Sequence, residues 1–252
     1  MLLTVTSSIL MELTFALVNL PRVADALPDL LRVVIPPFAG GALFPYLVIR
    51  LFYRQELASF GARWVTPGHR AGPWLIGSVV LVMATWTALW IAIYAGISLV
   101  PPDHPFADVN AVNAENPLYR LLVLKKSSSW ILVLHWCVLV GFAEELFGRG
   151  LLWNALERRY PGRIGGPRFG IGHATLLCGL LFAIWHIRWL TGSWSDLASS
   201  VATNLTIVLV PSLLLALVYE RTRSMLAVIV LHDVIDGGKL VAWYGVGRWW
   251  EG

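Results

Sequence analysis

Charged residues are scarce in this 252-residue chain. Asp, Glu, Lys and Arg together make up 13% of it, against 57% hydrophobic residues. A soluble domain carries about 25% charged residues, so the shortage, with a positive mean hydropathy, excludes an ordinary water-facing fold and indicates a polytopic membrane protein. The 19 basic residues exceed the 15 acidic ones by only four and lie scattered in short loops, which argues against a nucleic-acid surface. There are only two cysteines, Cys137 and Cys178, with no CxxC pair. Both fall in apolar runs and read as core thiols, with no disulfide framework. No HExxH zinc motif, internal repeat or low-complexity tract is present. No basic stretch precedes the first apolar run, so a cleavable signal peptide is not expected.

Long apolar runs fill the space that charge leaves empty. Residues 2–20 are apolar around Glu12 and stop at Pro21, which suits either a short span or a helix lying in the interface. Spans are predicted at 30–53, broken by Pro36-Pro37 and Gly40-Gly41, and at 73–100, 130–156, 171–190, 198–219 and 225–245. The expected fold class is therefore all-α: a bundle of six to seven spans around a central polar cavity. Loops 50–72, 157–170 and 220–224 hold most of the loop arginines, which makes theirs the cytoplasmic side. Loops 101–129 and 191–197 fall opposite, with the Lys125-Lys126 pair against the trend, and the C-terminus lies outside. Trp74, Trp130, Trp189, Trp194, Trp249 and Trp250 near span ends suit interfacial belts, whereas Trp86, Trp90 and Trp185 read as embedded.

The informative stretch is Gly141-Phe142-Ala143-Glu144-Glu145-Leu146-Phe147-Gly148-Arg149-Gly150. Each charge at mid-membrane costs roughly 2.5–3.5 kcal/mol on insertion scales, so three of them need partners or a function. Glu145 and Arg149 are four apart and pair on one helix face, while Glu144 points about 100° away. Two later spans carry similar groups: His186 in Phe182-x-x-x-His186, and His232-x-x-x-Asp236, whose ends also share a face. At about 1.5 Å per residue, Glu144, His186, His232 and Asp236 fall in one slab, ~10–22 Å from the basic side. Polar groups from three helices at one depth imply a shared internal cavity. His135 lies on the face opposite Glu144 and reads as packing. His173 opens a helix, and His69 and His104 lie in loops. Lys239 is expected to snorkel or to pair locally.

These three ordered motifs, with Tyr219-Glu220-Arg221-Thr222-Arg223-Ser224 ahead of the last, resemble the signature of the CPBP intramembrane proteases. That family includes the type II CAAX prenyl endopeptidases and the abortive-infection proteins. The resemblance covers about residues 130–240. It divides the chain into membrane helices and loops at 1–125, a catalytic core at 126–245 and a tail at 246–252. It implies Glu144 as the base that activates water, with His186 sharing that water. His232 and Asp236 would stabilise the oxyanion, and Glu145, Arg149 and Phe182 would support the site. Two positions depart from the pattern: Gly148 stands where a bulky aromatic is common, and Asp236 where asparagine is common. An ionised Asp236 accepts hydrogen bonds but cannot donate one.

The residues alone leave other chemistries open. Glu144, His186 and His232 could hold zinc with a position open for water, so a metalloprotease is one alternative; the favoured reading needs no cofactor. A proton-coupled transporter would use the same buried groups, but the inverted repeats and two-sided polar path it predicts are missing. A non-enzymatic partner-binding or immunity protein is the third. The expected partners are the lipid bilayer and a membrane-associated protein or peptide substrate, prenylated or not, with no nucleic acid.

Overall fold

The apolar runs fold as helices, some continuing through π-helical turns. The computed structural model describes residues 2–21, 23, 29–66, 68, 71–97, 99, 135–166, 170–187, 189 and 193–251. The connection at 101–129, His69, His104 and Trp130 lie outside the described residues, as do the side chains of His135, Cys137 and Lys239. Helix α1 is Leu2–Val18. Helix α2 runs through Asp29–Pro37, the π-segment Phe38–Leu43, Phe44–Leu47 and a second π-segment, Val48–Phe52. After the short α3 (Leu57–Phe60) comes the long α4 (Ala71–Ile97). Helix α5 comprises His135–Val140, Gly141–Glu145, Leu146–Trp153 and Asn154–Arg159, again alternating π and α. Then come α6 (His173–Trp185) and α7, built from Trp194–Thr203, Asn204–Val208 and Leu209–Thr222. Helix α8 spans Met225–Glu251.

Helix α1 is patterned in reverse of a water-facing helix. Leu2, Leu10, Leu13, Phe15 and Leu17 are exposed, whereas Thr4, Ser7 and Ser8 are buried. Apolar groups outward and hydroxyls inward suit lipid outside and protein inside. The Gly40-Gly41 break in α2 is a close-packing site. A Cβ at Gly40 would lie 2.9 Å from the Ser7 carbonyl oxygen of α1, and one at Gly41 would lie 2.8 Å from that of Ala143 in α5. The two glycines let α2 press against both neighbours, and the π-turns absorb the displaced register.

Val34–Phe52 in α2 and Ala71–Gly96 in α4 are long and apolar enough to cross a membrane. Helix α4 packs against α8 and exposes Ile76, Val80, Leu81 and Ile91. Charged residues break the apolar sequence of α5 and α8, and α6 has only 13 residues. Length and apolarity alone thus mark two of the six or seven expected spans. Several boundaries differ from the sequence expectation. Helix α6 starts at His173, after a two-residue strand; α7 starts at Trp194, where Ser193 Oγ accepts from the Asp196 amide at 3.2 Å; and α8 continues through the expected tail to Glu251.

The connection between α5 and α6 adds a small antiparallel ladder that an all-α expectation omits. In it β1 (Arg163–Ile164) pairs with β2 (Ile171–Gly172) in the register Arg163↔Gly172. The buried Glu220 of α7 holds it, accepting from the Gly172 amide at 3.1 Å and from Thr175 Oγ1, and pairing with Arg163 at 2.5 Å. The three basic connections meet at this end of the bundle. Arg223 grips Glu157 through two contacts at 2.5 and 2.6 Å, and Arg158 donates to Gln55 and to the Phe60 carbonyl. The Met225 and Leu226 amides donate to the Arg63 and Trp64 carbonyls. Gly61, at φ 124°, lies against Asn154, where a Cβ would fall 2.2 Å from Oδ1. Only glycine combines that backbone with that approach.

Candidate active site

Consecutive residues on a helix diverge by about 100°, yet Glu144 and Glu145 both reach His232, from opposite sides of its ring. Glu145 Oε1 lies 2.6 Å from His232 Nδ1, and Glu144 Oε2 lies 3.6 Å from His232 Nε2. The same Glu144 Oε2 is 3.1 Å from His186 Nε2. Helices α5, α6 and α8 therefore converge on a single cluster in which Glu144, His186 and His232 meet around that carboxylate oxygen.

The ring orientations follow from their other contacts. His186 Nδ1 donates to the Phe182 carbonyl, four residues earlier, at 2.9 Å. A carbonyl only accepts, so Nδ1 carries hydrogen and Nε2 is the atom presented to Glu144. The 3.1 Å contact then needs one further proton, shared between ring and carboxylate. His232 Nδ1 is committed to Glu145, leaving its Nε2 3.6 Å from Glu144 and 3.5 Å from Asp236 Oδ2. A lone pair there would face two carboxylate oxygens, so this Nε2 acts as a donor.

Solvent access divides the cluster. The side chains of Glu145 and Arg149 are sealed, at 0% exposure each, whereas Glu144, His186 and Asp236 keep 11%, 25% and 15%. The open groups can meet a ligand; the sealed pair cannot. Arg149 donates to Glu145 at 2.8 Å and to the Ser212 carbonyl at 2.7 Å, and so ties α5 to α7. Its guanidinium lies 4.5 Å from the centroid of the Phe182 ring. That ring also meets His186 and His232 edge-on, at 4.9 and 6.3 Å between centroids. Phe182 is thus a wall common to both histidines and the arginine.

The departure at Gly148 has a cause here. A Cβ at 148 would lie 2.9 Å from Phe182 Cδ2, so the space an aromatic would occupy is filled by Phe182 itself. Gly148→Ala is expected to cost about 1–3 kcal/mol through overpacking and to tilt Phe182 against both imidazoles. Thermal unfolding in detergent, together with the protein's activity, would show it. An unchanged melting temperature and rate would mean that Phe182 yields freely.

Three participants escaped the sequence reading. Asn204 Nδ2 donates to the His186 carbonyl at 3.1 Å, and Ser8 Oγ donates to the Trp185 carbonyl at 2.8 Å. Asp233, beside His232, has a buried Oδ1 with no hydrogen-bond partner among the described residues. It lies where a Cβ on Gly141 would come within 2.2 Å. A lone amide or carboxylate in an apolar span is itself a signal, and it was available for Asn204 and Asp233. Cys178 is buried and donates to the Gly148 carbonyl at 3.2 Å, as a core thiol does. The donor types of Glu144, His186 and His232 would suit zinc. However, the described residues contain no group of three or more His, Cys, Asp or Glu side chains disposed to hold a metal ion.

Comparison with known families adds an independent line. Residues 126–238, just under half of the chain, match the family model described as type II CAAX prenyl endopeptidase Rce1-like. No curated protein and no solved structure matches. The matched segment takes in α5 through the first half of α8, and with them every group of the cluster from Glu144 to Asp236. Residues 126–238 thus carry an Rce1-like segment, similar to the type II CAAX prenyl endopeptidases, and this supports the CPBP resemblance over that part of the chain.

Proposed function

We propose that the chain is an intramembrane endopeptidase in which Glu144 activates water and the two histidines manage the charge that develops. The observation carrying this reading is that one oxygen of Glu144 lies 3.1 and 3.6 Å from the Nε2 atoms of His186 and His232. A water held against Glu144 gives up its proton to the carboxylate and attacks the scissile carbonyl. His232 donates through Nε2 to the oxyanion, while Glu145 anchors Nδ1 and keeps the ring oriented. Glu144 then returns its proton to the leaving amine, directly or through His186, whose ring the Phe182 carbonyl fixes. Asp236 accepts from His232 before the substrate arrives and holds that donor on the open side. This differs from a direct oxyanion contact by Asp236.

The full bundle crosses the bilayer six or seven times, with α1 in lipid and the basic end, where loops 50–72, 157–170 and 220–224 meet, facing the cytoplasm. The substrate is a membrane-associated protein or peptide. A prenylated C-terminal CAAX segment is the first candidate, because the matched family is named for that activity.

Reconstituted wild-type protein is expected to release the terminal tripeptide from a farnesylated CAAX peptide, and His186→Ala to lose most of that rate. Mass spectrometry of the products in liposomes locates the cut. Cleavage of an unlipidated transmembrane peptide instead would keep the peptidase and remove the prenyl specificity. Inhibition by a chelator, with stoichiometric zinc in the preparation, would overturn the metal-free mechanism. No cleavage of either substrate would overturn the function.

A further inference from the structure

Helix α6 ends inside the bundle at the residue that matters, and one of the two side chains that cap its end comes from outside the matched segment. His186 is the C-cap of α6, so the last carbonyls of the helix have no partner further along it. Their hydrogen bonds can be followed one by one. The Ala183 carbonyl accepts from the His186 amide at 3.2 Å, and the Ile184 carbonyl from the Ile187 amide at 3.1 Å. The Trp185 carbonyl accepts from Ser8 Oγ at 2.8 Å, and the His186 carbonyl from Asn204 Nδ2 at 3.1 Å. Two side chains therefore supply what the helix cannot, one of them from α1.

The Ser8 contact is one part of a seam. Trp185 Nε1 donates to Ser7 Oγ at 3.0 Å, and Ser7 Oγ donates to the Gly40 carbonyl of α2 at 2.8 Å. Glu12, one and a bit turns on, accepts from the Trp189 amide at 2.7 Å. Ser7, Ser8 and Glu12 of α1 thus face the end of α6, while Leu2, Leu10, Leu13 and Leu17 are exposed. This explains why an otherwise apolar helix carries serines and a glutamate.

We infer that Ser8 and Asn204 are positioning residues for His186, so that the N-terminal helix completes the active site. The inference rests on the proposed role of His186 in peptide hydrolysis. Without either donor a buried carbonyl loses its partner, the C-cap turn relaxes, and His186 Nε2 moves off the Glu144 oxygen. Displacements of about 1 Å in a catalytic group cost up to about 10²-fold in rate.

The test compares wild type, Ser8→Ala, Ser8→Thr and Asn204→Leu in liposomes with the farnesylated peptide. In parallel, 15N solid-state NMR is run on histidine-labelled protein, with the His186 signals assigned by their loss in His186→Gln. Ser8→Ala and Asn204→Leu are each expected to lower kcat about tenfold with KM unchanged and to shift the His186 ring nitrogens. Ser8→Thr, which keeps the hydroxyl, is expected to stay within about threefold of wild type. Ser8→Cys keeps the volume but weakens the donor, and it serves if Ser8→Ala does not fold. Unmoved His186 signals and an unchanged kcat in folded variants would overturn the inference and leave the peptidase reading intact. A wild type that cleaves nothing would overturn the peptidase reading, and the NMR shifts would still decide whether Ser8 and Asn204 position the ring.

Discussion

Glu144→Gln, purified and reconstituted, is expected to fold like wild type and to cleave peptide about 10²–10⁴-fold more slowly, the range for removal of a general base. The amide matches the carboxylate in size and can still meet His186: its NH2 can donate to Nε2, which takes no part in the bond to the Phe182 carbonyl. What it cannot do is take a proton from water. Initial rates against substrate concentration should show the loss in kcat, with KM little changed, because the substrate keeps its other contacts. His186→Gln is expected to lose less, since a residue that orients water or relays its proton is partly replaced by bulk solvent reaching the open side of the site. If instead His186→Gln were the more damaging and Glu144→Gln stayed within tenfold of wild type, the roles of base and orienting group would have to be exchanged.

The legible part of the site was the part encoded in side-chain spacing. Glu145 and Arg149, four apart, pair at 2.8 Å even though a π-helical segment begins between them. His232 and Asp236, also four apart, meet at 3.5 Å. Rise-per-residue arithmetic placed Glu144, His186 and His232 at one depth, and the structure brings them together around one oxygen. The convergence of Glu144 and Glu145 on a single ring was not legible. It depends on where α8 crosses α5, and a sequence does not print crossing points. Nor were Ser8 and Asn204, because their partners are backbone carbonyls, which every residue has. The β1–β2 ladder was hidden in a Gly/Pro-rich connection, with only two residues in each strand. The span boundaries slipped for a related reason: Ser193 sets the start of α7 by capping it, a local hydrogen bond that hydropathy does not weigh.

Arg149→Met should be the most destabilising single change in the cluster, by about 3–5 kcal/mol, the cost of breaking a buried ion pair from one side. Both members have 0% exposed side chains, so solvent cannot take over the charge of Glu145. The change also strips the Ser212 carbonyl of its donor and Phe182 of the cation above its ring. Neutralising both partners, as Glu145→Gln with Arg149→Met, is expected to recover most of that loss, because replacing a whole buried pair by uncharged groups is often neutral or stabilising. The pair is incompletely satisfied as it stands: Glu145 Oε2 and Arg149 Nε have no hydrogen-bond partner among the described residues. A double-mutant cycle on unfolding free energies in mixed micelles measures this, and the coupling between the two sites should fall at or above the upper end of the usual 0.5–3 kcal/mol for contacting residues, a range of about that size being typical. Activity should part company with stability. The amide that Glu145→Gln introduces can still accept from His232 Nδ1, but it no longer brings a negative charge to the imidazole, so the double variant would fold yet cleave slowly. A double variant with wild-type turnover would show that Glu145 serves the fold alone, and that His232 needs only a hydrogen-bond acceptor behind it.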